Sequence, residues 1–91
     1  MNFEYDPGKS AGNKEKHGID FEEAQALWED VERLEAPAAY RGEERIAVIG
    51  RIGMDVWTAI ITYQGNAARI ISVRRAREKE VALYENERIA D

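Results

Sequence analysis

The chain of 91 residues has no cysteine and a single histidine. That excludes disulfide staples, thiolate metal sites and cysteine nucleophiles, so the fold must rest on packing alone. No apolar run approaches the about 20 residues of a membrane-spanning helix, and the opening Met1-Asn2-Phe3-Glu4-Tyr5-Asp6 has neither a basic nor an apolar leader region. A cytoplasmic protein without membrane contact is the expectation. The length predicts one domain over residues 1–91, because so short a chain buries only about 60–65% of its unfolded surface and cannot support two cores. There is no phosphate-binding glycine loop: Gly50-Arg51-Ile52-Gly53 ends a strand with no helix behind it.

The charge is unevenly spread. Thirteen Lys and Arg against eighteen Asp and Glu give −5, yet residues 20–44 hold nine of those acids and two bases. Residues 69–79 reverse the balance with Arg69, Arg74, Arg75, Arg77 and Lys79 against Glu78. A cationic patch on an acidic protein points to an anionic ligand read locally. The acids are expected to form a solvated outer face of a second helix rather than a cation cage.

The elements read as β-α-α-β-β-β-α. Phe3 and Tyr5 alternate on a short edge strand, and Asp6-Pro7 caps a helix running to about His17, with Gly18 as its left-handed end. Asp20 and Glu23 form a capping-box signature ahead of a second helix whose apolar face is Phe21, Ala24, Leu27, Trp28 and Val31. Leu34 to Gly42, containing Pro37, reads as a loop. Arg45–Ile52, Val56–Tyr63 and Ala67–Arg74 read as strands of an antiparallel meander, the middle one central because it is apolar on both faces. A last helix spans Arg77 to about Arg88. The fold class is α+β, an antiparallel sheet with helices packed on one face.

Lys9, Asn13 and Lys16 or His17 recur at helical spacing, a cationic face whose plain reading is a solubilising surface. Strand alternation puts Arg69, Val73 and Arg75 on one side and Ile70, Ser72 and Arg74 on the other. Glu80 and Tyr84 share one face of the last helix. Arginines with a carboxylate and a phenol suffice for metal-free RNA cleavage, in which the 2′-hydroxyl attacks its own phosphodiester. The plain alternative is that Glu80 pairs with an arginine to pin the helix and Tyr84 belongs to the core.

These residues closely resemble the BrnT toxin family. The resemblance rests on Phe3-Glu4-Tyr5-Asp6-Pro7-Gly8-Lys9, Asn13, Lys16-His17-Gly18-Ile19, Phe21 and Ala24. It continues through Gly42-Glu43-Glu44-Arg45, Ile49-Gly50-Arg51 and Arg69-Ile70-Ile71-Ser72-Val73-Arg74-Arg75-Ala76 to Glu80 and Tyr84. It implies a RelE-like fold and a metal-independent ribonuclease toxin needing no cofactor. It further implies a BrnA-like antitoxin partner, and DNA contact only indirectly through that antitoxin in an operon-repressing complex. Carried over by position, His17, Arg74, Arg75, Glu80 and Tyr84 are the catalytic candidates. Lys9, Lys16, Arg45, Arg51 and Arg69 are the RNA-binding ones. The alternatives are a non-catalytic binding protein of the same fold and an inactive homologue retained as an antitoxin-bound repressor component. The acidic balance departs from the basic character usual in RNA-cutting toxins.

Overall fold

The computed structural model describes residues 1–38, 42 and 44–90, the side chains of 87–90 excepted. Its elements are β1 (Asn2–Glu4), α1 (Pro7–His17), a 3-10 helix (Glu23–Glu29), β2 (Leu34–Ala38), β3 (Arg45–Ile52), β4 (Asp55–Gln64), β5 (Ala67–Arg75) and α2 (Glu78–Ala90). The class is α+β, built on one five-stranded sheet of order β1-β5-β4-β3-β2. Among the described residues, no helix is long and apolar enough to cross a membrane.

Local chemistry accounts for the ends of α1. The Asp6 carboxylate accepts from the Gly8 and Lys9 amides at 2.7 and 3.2 Å, and Pro7 loses nothing at the first position. Gly18 closes the helix at φ 83°, its amide donating to the Lys14 carbonyl at 2.9 Å. The Asp20–Glu23 capping box is reciprocal, with bonds of 2.9 and 2.7 Å.

Four expectations are corrected. The sheet is mixed, because β1 pairs with β5 in parallel while all other pairs are antiparallel. The supposed loop contains β2, which pairs with β3 from Leu34↔Ile49 to Ala38↔Arg45. Pro37 is tolerated there because the strand lies at the sheet edge, where no outward N–H is required. The second helix is a 3-10 helix that stops at Glu29, and Val31 lies in the following turn, 92% exposed. The rest of the supposed loop, residues 39–41, and Glu43 of the Gly-Glu-Glu-Arg block lie outside the described residues.

The fourth correction concerns the faces. Ile19, Phe21, Ala24 and Leu27 pack on Val48, Trp57, Ala59, Ile61, Ala68, Ile70 and Val73. Gly50, paired with Trp57, belongs to this side, and a Cβ there would stand 3.1 Å from Leu27 Cδ2. Thr58 points the other way by alternation, and its hydroxyl donates to Glu80 of α2 at 3.0 Å. The 3-10 helix and α2 therefore cover opposite faces rather than one.

Candidate nucleic-acid interface

Because β1 pairs only with Ala67–Arg69, the edge of β5 beyond them needs another partner. Asn13 supplies it. Its Nδ2 donates to the Val73 and Ile19 carbonyls at 2.9 and 2.8 Å, and its Oδ1 accepts from the Val73 amide at 3.2 Å. Ser10 Oγ accepts from the Phe21 amide at 2.9 Å. Thus α1 docks through two buried polar side chains rather than an apolar stripe. Asn13 consequently turns inward and is no part of an outer cationic face.

This bracket brings separate sequence blocks together. Lys9, Lys16 and His17 lie about one turn either side of Asn13, and Arg74 and Arg75 follow Val73 directly, so the bracket sets these two sequence blocks side by side. Lys9 and Lys16 are exposed. His17 is half-buried and hydrogen-bonds to none of the described residues. Arg75 is exposed, with its guanidinium carbon 5.1 Å above the Trp57 ring and Nη1 donating to Asp55 at 3.0 Å. An exposed ion pair of this kind is worth about 0–1 kcal/mol and exchanges readily for a phosphate, while the aromatic face holds the guanidinium plane in place.

Arg45 and Arg69 are not gathered there. Strand register sets Arg69 opposite Thr62 and places Arg45, next to the Ile46↔Ile61 pair, at the same level, the other end of the sheet from Arg75. A register shift at Ile60/Ile61 leaves Ile71 as an extra residue in β5. Alternation therefore breaks: Ile70 and Val73 both enter the core, correcting the expected pattern, and Arg69 leaves the face of Arg75. Arg69 stands 3.9 Å from Glu4.

The remaining candidates form a second cluster beneath α2. Arg74 donates to both Glu80 oxygens at 2.7 and 2.9 Å, and Glu80 also accepts from Thr58 and from the Arg77 amide. Chiefly the Arg74 hydrogen bonds, against the opposing effect of burial, hold the Glu80 carboxyl at about 2, and the Arg74 guanidinium is raised in turn. A carboxylate so held is a weak proton acceptor at neutral pH. Arg51 donates to Glu85 at 2.9 Å and lies 5.6 Å from the centre of the Tyr84 ring. Tyr84 is 1% exposed and donates to Asp30 at 2.6 Å; burial first, then Asp30, raises its phenol.

Three contributors are not evident from the sequence. Asp30 falls among the acids expected on a solvated face, yet its Oδ2 accepts from the Arg51 amide and Tyr84, and Oδ1 from the Glu32 amide. Burial works to raise its carboxyl, but these bonds outweigh it and the net shift is downward. Trp57 and Thr58 read from sequence only as strand residues, although alternation on a central strand already sends one to each face. Their neighbours could have been found only from register.

A family model described as ribonuclease toxin, BrnT, of type II toxin–antitoxin system matches residues 5–80. Among curated proteins none matches.

Proposed function

The chain belongs to the BrnT family of ribonuclease toxins of type II toxin–antitoxin systems, and on that premise we propose that it cuts RNA, without metal, on the surface shared by α1 and the end of β5. The observation that carries this is the Asn13 bracket at Val73, which sets the cations of α1 beside Arg75 on its Trp57 platform. In this reading Arg75 holds the scissile phosphate, Lys9 and Lys16 follow the backbone, and the His17 imidazole moves the proton. Arg74 and Glu80 set the position of β5 against α2, with Arg51 and Tyr84 supporting them from the β3 edge. Arg45 and Arg69, at the other end of the sheet, contact RNA only where it leaves the site. The acids crowded into residues 20–44 have little reach across the molecule, since exposed charges are screened beyond about 8 Å at physiological salt.

A type II toxin family carries a protein antitoxin as partner. A BrnA-like identity for it, operon repression with DNA reached only through it, a RelE-like ancestry of the scaffold and a cytoplasmic setting belong to the same proposal. A non-catalytic binding protein is the second reading, favoured by one observation: Arg74, Glu80 and Tyr84 are all engaged by partners within the fold. Inducible expression in a bacterial host, with growth and RNA integrity followed together, separates the two. Arrest with RNA cleavage supports the first, and arrest with intact RNA the second.

A further inference from the structure

Val31 and Met54 are 92% and 90% exposed, although both are large and apolar. Isolated exposed hydrophobics are ordinary. Each of these two sits in a turn that borders the same pocket of about 340 Å³. Val31 lies between Asp30 and Glu32, and Met54 follows Gly53, all three of which line it. The half-buried Asp30 and Ile52 and the buried Tyr84 make its floor; Glu29 and Glu32 are exposed at its rim. Nothing in the fold requires apolar side chains at these turn positions, where polar residues serve better. Exposed apolar residues in the two turns that flank a pocket, outside its lining but next to it in sequence, favour a protein-docking site.

Charge selects the occupant. Residues 20–44 supply half of the pocket wall, and three of their acids, Glu29, Asp30 and Glu32, line it. The lining holds these three acids against one base, Arg51, which is engaged by Glu85. We propose that this mouth is where the protein antitoxin docks, through a segment that presents an apolar side chain between lysines or arginines. The proposal rests on the toxin–antitoxin reading and deepens it. The pocket opens at the β3 edge, whereas the cations of α1 lie at the β5 edge, so the partner reaches the toxin from the side away from its basic surface. It also meets Tyr84 of α2, the helix whose Glu80 holds Arg74, which couples docking to the far side of the sheet.

The test uses the full chain and its co-encoded antitoxin, with affinity measured by calorimetry and RNA cleavage measured separately on the free toxin. The double variant Val31→Ser/Met54→Ser, altered only at exposed turns, is expected to bind the antitoxin at least about tenfold more weakly while cutting RNA as the parent does. Glu29→Lys is expected to act in the same direction, and Lys9→Ala/Lys16→Ala to leave the affinity unchanged. Equal affinity of the double variant and the parent overturns the docking site. So does weakening by the lysine variant alone, which would put the antitoxin on the basic face. Self-association of the parent that the Met54 change abolishes also overturns it, by seating a second copy there. Failure of the parent to bind any antitoxin overturns the partner reading together with the site, whereas a free toxin that leaves RNA intact overturns the activity and leaves the docking result standing.

Discussion

Arg74 in β5 and Glu80 in the first turn of α2, six positions apart, are joined by two parallel N–H···O bonds of 2.7 and 2.9 Å. This fork-to-fork geometry is the strong form of an arginine–carboxylate pair, and it welds the C-terminal helix to the sheet. With the Glu80 carboxyl at about 2 in the fold against an ordinary 4.5, the pair stabilises fully above the ordinary value and is lost as pH falls from there toward 2. Glu80→Gln is expected to cost about 2 kcal/mol at neutral pH and to flatten the acid limb of the stability profile below pH about 4.5. Chemical denaturation at a series of pH values measures both; an unchanged acid limb would remove Glu80 from the role assigned to it.

The neighbouring arginines are expected to separate. Arg74 is half-buried and shared with Glu80, while Arg75 is exposed on Trp57. Arg74→Ala should lower stability by about 2–3 kcal/mol through the carboxylate it strands. Arg75→Ala should leave stability within about 0.5 kcal/mol and reduce RNA cleavage by roughly 10²–10³, the cost of losing one preorganised charge donor. Melting curves and cleavage rates on the same two preparations decide it. A melting loss for Arg75→Ala as large as that for Arg74→Ala would make both structural.

Asn13 is buried and makes three hydrogen bonds to backbone groups of two other segments. Asn13→Ala leaves the Val73 and Ile19 groups without partners, so a loss of about 2–4 kcal/mol is expected. Asn13→Asp keeps the acceptor but loses both donors and sets a negative charge against two carbonyls, and should be no better. Hydrogen exchange at the Val73 amide reports the bracket directly, with protection expected to fall in both variants. Retained protection would show that another group closes the β5 edge.

RNA affinity provides a charge count. If Lys9, Lys16 and Arg75 neutralise three phosphates, log affinity for single-stranded RNA should fall with log salt at a slope of about −2, from about −0.7 per phosphate. Each single substitution should shrink the slope by a fraction of a unit, and Arg69→Ala at the distant end should shrink it less. Binding insensitive to salt would place RNA elsewhere.

Much of the fold was legible because its signals are local. The Asp6-Pro7 cap, the Gly18 terminus, the Asp20–Glu23 box and the bounds of β3 all follow from residues within a few positions of each other. What stayed hidden depends on pairing. Pro37 argued for a loop, yet Leu34, Ala36 and Ala38 alternate with exposed Glu35 and Pro37 as an edge strand requires, and only the partner β3 decides between them. Val31 continued the apolar period of the second helix, but its neighbour Asp30 is pulled out of the helix to meet the Arg51 amide and Tyr84, 21 and 54 residues away. The bulge at Ile71 is likewise invisible in β5 alone, because it arises from register with β4. So the candidate residues were recognisable, whereas their division into an open cationic surface and a carboxylate-paired cluster was not.

The most direct measurement is cleavage of one defined single-stranded RNA by the purified toxin, run beside Arg75→Ala and Lys9→Ala/Lys16→Ala preparations whose melting temperatures match the parent. The parent is expected to cut in the presence of a chelator, Arg75→Ala to lose at least about a hundredfold, and the lysine variant to bind RNA more weakly. Cutting by all three at one rate, or intact RNA with a parent that still arrests growth, would contradict this expectation.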